Sequence, residues 1–529
     1  MKSVEHIVLL TPGFAHKNKP KINAGLLLVF AVLSFLGALH HEMWFDEMQA
    51  WLISKDSHSF SELLTNSKYE SHPMIWHTML FVLSAFTHNP FAVQMLHLSI
   101  ILATAFLFLR YSPFSVLQNV CILFGYYFFF EYNVISRSYS LTLLFLVLFS
   151  ALFSSPKNNY LAQTLCLVAL ANTHLLSFII SIPLFLLLSH DYLRNTGVTN
   201  KKTYILFLGL FISGLAVAVL SILPPSDSLL LNNVKGNIFT SDRFIKAFSF
   251  YLKGIYPMPD FSNFHFWNYH FMVSHLKHMG IVLSVLVFIV PFILFFDKPA
   301  SLFIFYSLTL LIAAGSFLMN LVTGAHYMGY MFMILLVSLW LSKTNHISVR
   351  IPLFSKWEAL LEKIRTGVYK PFLWSILLCQ IVSGIGAYCK DNRCTFSKGN
   401  EVSAWIQGFG EKHKLIVVNP YNSGPVVSGY LGEPVFYPEL NHLGSFCVWN
   451  RLALVTPADL AVRIKSCMDS SAEAHVYIVL AFSTDNSKLM NLLMASLSRD
   501  QYTLKEVREF RPAIVEREEY WACRIDKIR

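Results

Sequence analysis

The run Met43-Trp44-Phe45-Asp46-Glu47-Met48-Gln49-Ala50-Trp51 sets two adjacent carboxylates in an aromatic frame, directly after an apolar stretch at 24–39. Charge at a membrane boundary costs free energy unless it has a task or a partner, so Asp46 and Glu47 are candidates for acid–base work. The competing structural reading is that they cap the next helix and stop the span. Four more polar spots interrupt apolar sequence: Ser71-His72-Pro73 with Trp76 and His77; Ile135-Ser136-Arg137-Ser138-Tyr139; Asn172-Thr173-His174; and Gly324-Ala325-His326-Tyr327. Taken singly, a histidine at a helix end is a packing residue, an arginine an interfacial anchor and a tyrosine part of an aromatic belt. Together they supply what transfer of a sugar from a lipid phosphate requires. Arg137 and one or two histidines could bind the phosphate and stabilise it as it leaves. Asp46 or Glu47 could take the proton of a hydroxyl nucleophile. In-line attack opposite the phosphate would invert the anomeric carbon.

These residues need a frame, and composition says which. Of 529 residues 55% are hydrophobic and only 14% charged, with a mean hydropathy of +0.51. A soluble domain cannot hide that much apolar surface, so a polytopic α-helical membrane protein is predicted. The net charge of +10 does not point to nucleic acid. Its basic residues collect in short gaps between apolar runs, among them Lys17, Lys19, Lys21, Arg194, Lys201, Lys202, Lys343, Arg350, Lys356, Lys363, Arg365 and Lys370, as cytoplasmic loops do. The first apolar run lacks a small-residue cleavage site and reads as an uncleaved anchor.

Spanning runs are expected at 24–39, 92–109, 114–130, 138–153, 160–171, 174–188, 204–223, 280–296, 301–321, 327–341 and 371–388. The shorter run at 74–86 is read as re-entrant or interfacial. About eleven helices then put Arg137, His174 and His326 on the same outer side as Asp46. Fusing 160–188 into one broken helix would instead move Arg137 to the cytoplasm. The domains that follow are a cytoplasmic N-terminus (1–22), a transmembrane domain (23–388) with outer loops at 40–91 and 224–278, and an extracytoplasmic domain (389–529).

Within the second loop, residues 242–255 have helical amphipathic spacing suited to the membrane surface. The aromatic cluster Phe264-His265-Phe266-Trp267-Asn268-Tyr269-His270 is expected at headgroup depth. Residues 396–529 read as a small α/β domain: strands at 415–418, 435–437 and 475–480, helices at 458–468 and 487–497, and a closing hairpin of 502–510 with 513–523. Five of the eight cysteines fall in the outer part at 389–529, and Cys389 with Cys394 could form a local bridge. The absence of any Asn-x-Ser/Thr sequon leans towards a bacterial protein, hence an inner membrane with the C-terminal domain in the periplasm.

In order and spacing, Trp44-Phe45-Asp46-Glu47, Ser71-His72-Pro73 and Arg137-x-Tyr139 resemble the membrane-embedded GT-C glycosyltransferases. The branch is that of dolichyl-phosphate-mannose protein mannosyltransferases and bacterial lipid A aminoarabinose transferases. The resemblance covers 25–190 by motif and the rest by architecture. It implies a polyprenyl-phosphate sugar donor, outward-facing inverting chemistry and Asp46 as base, with Glu47 carried over less firmly. His72, Arg137, Tyr139, His174, His326 and Tyr327 would bind the donor's phosphate or sugar. The 324–327 segment lacks the basic neighbour that related sequences carry beside the histidine. Some members use a divalent metal; a single Asp-Glu pair without a second Asp-x-Asp argues against one here, with His72 or His326 as contributors otherwise. The acceptor could be a lipid, a glycan or a protein. The rival functions are a transporter or flippase of a lipid-linked glycan and a non-catalytic scaffold of the same fold.

Overall fold

The computed structural model describes residues 12–70, 72–196, 201–228, 249–319, 324–344, 357–449, 455–497 and 501–528. Seven helices in it are long and apolar enough to cross a membrane: Pro20–His40, Phe91–Tyr111, Leu175–Asn195, Lys201–Ile222, Lys277–Phe295, Ala325–Thr344 and Glu358–Asp391. Four further apolar helices, Ile75–Ser84, Tyr139–Phe153, Tyr160–Ala171 and Pro299–Met319, pack among them. The chain is thus a multi-pass integral membrane protein, with seven helices of spanning length and four further apolar helices among the described residues. Lipid-facing side chains such as Leu28, Val82, Phe106, Ile205 and Leu378 stay exposed on the bundle.

Two predicted spans take other forms. The run at 114–130 is broken into a helix, Val116–Leu123, and a π-helical turn, Tyr126–Glu131. Its break at Gly125 sits against the last long helix, where a Cβ on Gly384 would meet the Phe124 carbonyl oxygen at 2.5 Å. Close backbone approach here leaves no room for a continuous helix. The last helix begins at Glu358, well before 371, and runs through Pro371. At 34 residues and about 1.5 Å each it outreaches a ~30 Å hydrocarbon core, so its basic first turns stand outside. The chain breaks at Asn172–His174, so 160–188 is two antiparallel packed helices and not one.

The loop at 224–278 departs from expectation too. Of the amphipathic helix at 242–255, residues up to 248 lie outside the described residues, and Phe250, Tyr251, Leu252 and Ile255 are buried. Phe266 and Trp267 are buried within the protein as well, while Tyr269 of the same cluster stays exposed. The Trp267 indole instead donates to Glu131 at 3.1 Å and packs edge-on against Trp44 at 4.7 Å.

After Asp391 the chain forms a six-stranded mixed sheet: β1 (Lys414–Asn419), β2 (Val435–Tyr437), β3 (His442–Gly444), β4 (His475–Ala481), β5 (Tyr502–Phe510) and β6 (Tyr520–Lys527), in the order β3-β2-β1-β4-β6-β5. β1 lies parallel to β2 and β4, while β6 runs antiparallel to β4 and β5. The apolar run of β1 and β4 is buried on both faces, as central parallel strands require. Helices Pro457–Ser470 and Thr484–Ser496 pack against each other over one face. The closing strand starts at Tyr520 and not at 513. Residues 513–515 are held elsewhere, Ile514 N donating to Thr395 O and Val515 N to Phe396 O, both at 3.0 Å. All eight cysteines are unpaired, including Cys389 and Cys394.

Candidate active site

The site is built on the short helix Phe45–Lys55, which follows the first span after a four-residue break. Its neighbouring acidic side chains part ways. Glu47 is wholly buried. Its Oε2 accepts from the Trp44 backbone N–H at 3.1 Å, satisfying a helix N-terminus, and its Oε1 accepts from Ser136 N at 2.5 Å. The imidazole of His41 meets Glu47 through Nε2 at 3.1 Å and Asp391, at the end of the last helix, through Nδ1 at 3.2 Å. Glu47 therefore ties together the ends of the first and last long helices and the loop that carries Arg137.

His41 sits just beyond the first span. Burial opposes its protonation, but Asp391 and Glu47 outweigh burial and hold its pKa well above 6.5. A raised folded-state pKa gives stability that is complete below the unfolded value and is lost as pH climbs through the folded one. The melting temperature of the detergent-purified protein is thus expected to fall on the alkaline side of 6.5, and His41→Gln to flatten that fall. An unchanged slope in the variant would remove His41 as its source.

Asp46 faces the opposite way and keeps 25% of its side chain exposed, with one oxygen 2.5 Å from Arg137 Nη1. Burial raises the Asp46 pKa, but Arg137, then His326 and Arg517, more than offset it, leaving Asp46 below the usual carboxylate value. Arg137 itself is buried in the short Ile135–Ser138 turn, its guanidinium 5.7 Å over the Tyr139 ring. Beside the pair lies a small cleft lined by Asp46, Glu70, His72, His77, Arg137 and Thr173. The imidazoles carry polar atoms with nothing to bond: Nδ1 of His72, both nitrogens of His77 and Nε2 of His174 are buried without a hydrogen-bond partner. His174 accepts from Leu176 N through Nδ1 at 3.1 Å, which leaves Nε2 to donate. Burial, reinforced by Arg137, pulls His72 down to about 4, so it is neutral and a hydrogen-bonding group, not a cation. His72 and His174 lie 5.2 Å apart, and Tyr139 packs on His174 at 5.1 Å and on His326 at 5.2 Å. Tyr327 closes the group against His326 at 4.2 Å.

All of the residues singled out from sequence thus meet here except Glu47, which lies behind the site. Others escaped that reading. Glu70 adds a second carboxylate to the cleft; burial raises its pKa, while bonds from Gln49 and Trp449, each at 2.9 Å, pull it down. Its place two residues before His72 was the available signal. The C-terminal domain is the larger surprise, because it clamps the Asp46 helix. Phe45 N donates to Glu518 at 2.8 Å and Met43 N to the Tyr430 hydroxyl at 2.7 Å. Gln49 exchanges two bonds with the Cys447 backbone, at 2.8 and 2.9 Å. Nothing local in residues 421–449 or 516–518 marks them for this task.

A divalent metal finds no fitting ligands. Asp46 is taken by Arg137, the Glu47 oxygens are occupied, and no cluster of three or more His, Cys, Asp or Glu suited to a metal occurs among the described residues.

No family model matches this chain, and no curated protein matches it. Among solved structures, it is similar to the crystal structure of ArnT from Cupriavidus metallidurans bound to undecaprenyl phosphate. The alignment covers 95% of this chain and 97% of that one, at 10% sequence identity and a TM-score of 0.41.

Proposed function

We propose that this protein is an integral-membrane glycosyltransferase of the GT-C kind, moving a sugar from a polyprenyl-phosphate donor to a hydroxyl of a lipid, glycan or protein on the outer membrane face. The observation that carries this reading is the Asp46–Arg137 pair at the mouth of a cleft lined by unpartnered imidazoles.

The geometry gives each group a task. The donor's phosphodiester is an anion and competes with Asp46 for Arg137, which the Tyr139 ring supports from below. As Arg137 turns to phosphate, Asp46 loses its main counter-charge and its affinity for a proton rises. His72 and His77 offer their free nitrogens to sugar hydroxyls. The acceptor oxygen then bonds to the anomeric carbon as the bond from that carbon to the phosphate oxygen breaks. Its electron pair leaves with the phosphate, and the acceptor's proton passes to Asp46. Attack from the face opposite the phosphate inverts the configuration. Glu47 takes no part in proton transfer and acts by positioning Asp46 and Arg137.

Two measurements test this. Mass spectra of glycolipids and surface polymers from a deletion strain should lack one sugar substituent, which names both sugar and acceptor. In purified protein, Arg137→Ala is expected to weaken polyprenyl-phosphate binding by about tenfold or more, since a hydrogen bond to a charged group contributes roughly 1.5–3 kcal/mol. Undiminished binding would refute the phosphate assignment.

A further inference from the structure

We propose that Arg517, carried by the C-terminal domain, is a second anion-binding residue of this site and holds a phosphate ester of the substrate. The inference rests on the glycosyltransferase reading above. Arg517 lies in the turn Glu516–Glu518, between strands β5 and β6. That turn is fixed on both sides: Val515 N donates to Phe396 O at 3.0 Å, and Glu518 accepts from Phe45 N at 2.8 Å. The turn is therefore tied through the Glu518 side chain to the start of the Asp46 helix.

The side chain, by contrast, is exposed and makes no hydrogen bond or close ion pair among the described residues, the carboxylates it acts on being Asp46 and Glu518. Its guanidinium lies 5.4 Å over the Trp44 ring. From Trp44 the rings continue without a gap: Trp267 at 4.7 Å, then His326 at 6.3 Å, then Tyr139 at 5.2 Å. Arg137 stands over the far end of this wall, on Tyr139. These rings are buried and form one packed row behind the site, with a cation at either end of it. Arg517 also acts electrostatically on both Asp46 and His326.

Charge balance shows what the second cation can do. In the empty site Asp46 and Arg137 neutralise each other, so no positive charge is left over between them. Transfer turns a singly charged phosphodiester into a phosphomonoester whose second pKa is near 6, so negative charge grows as the sugar leaves. An exposed arginine beside Trp44, held by a fixed turn and in no close ion pair, meets that need without breaking one.

The phosphate could belong to the donor lipid or to the acceptor, and titrations of the full-length detergent-purified protein separate the two. If it is the donor's, Arg517→Gln is expected to weaken binding of a polyprenyl phosphate by about tenfold or more, and Arg517→Lys to recover part of the loss. If it is the acceptor's, polyprenyl-phosphate binding stays at the wild-type level in Arg517→Gln. The thermal stabilisation that inorganic phosphate adds to the lipid-bound protein then disappears. Wild-type values for both probes in Arg517→Gln would overturn the proposal and leave Arg517 a packing partner of Trp44. Failure of the wild-type protein itself to bind polyprenyl phosphate would instead overturn the glycosyltransferase reading.

Discussion

Asp46→Asn is expected to lower the rate of sugar transfer about 10³-fold, within the range that general-base catalysis supplies, while the protein still folds and still binds polyprenyl phosphate. The substitution keeps the shape of the side chain and its hydrogen bond to Arg137 through the remaining carbonyl oxygen, so the turn at Ile135–Ser138 has little cause to move. What it removes is the charge that both competes for Arg137 and accepts the proton. Binding of a polyprenyl phosphate should therefore be as tight as in the wild type or tighter, because Arg137 no longer has to leave a carboxylate 2.5 Å away. Single-turnover transfer from a labelled donor reads the first effect and equilibrium titration the second. Transfer within tenfold of the wild type would take the base role away from Asp46. Lost transfer together with weakened lipid binding would make the residue a mere support for Arg137.

The adjacent position should behave in the opposite way. Glu47→Ala is expected to destabilise the protein by roughly 3–5 kcal/mol, the usual cost of stripping one partner from a buried ion pair. It would leave His41 charged beside Asp391 alone and strand the backbone N–H groups of Trp44 and Ser136 without an acceptor. Thermal unfolding in detergent, followed alongside protease resistance of the segment at 43–55, measures this. A variant that melts like the wild type yet transfers no sugar would move Glu47 from the scaffold into the chemistry. Two neighbouring carboxylates would thus be told apart, one by activity without loss of fold, the other by loss of fold.

That division shows where a linear reading stops. Asp46 and Glu47 look alike as a pair, yet the structure gives the helix-capping place to Glu47 alone and turns Asp46 to the cleft beside Arg137. Successive residues on an α-helix point about 100° apart. If one faces a cleft, the next faces the protein, and only the packing of the helix says which. The loop at 264–270 makes the same point. Its aromatic residues read alike as interface residues, but Trp267 finds a buried acceptor in Glu131 and a ring partner in Trp44 while Tyr269 stays exposed.

By itself the sequence determined that the chain lives in a membrane, since 55% hydrophobic residues in long uncharged runs have no other stable solvent. It also determined where the polar interruptions fall, and the strands β1, β2 and β4, whose short β-branched runs are bounded by turn residues. The tertiary structure alone decided that the interruptions converge, that Glu70 joins them, and that a domain more than 350 residues downstream in sequence supplies Tyr430, Cys447 and Glu518 to hold the Asp46 helix. The physical reason is range. Hydropathy and turn chemistry act over a few residues and can be read locally, whereas a hydrogen bond between Phe45 and Glu518 depends on the path of everything between them.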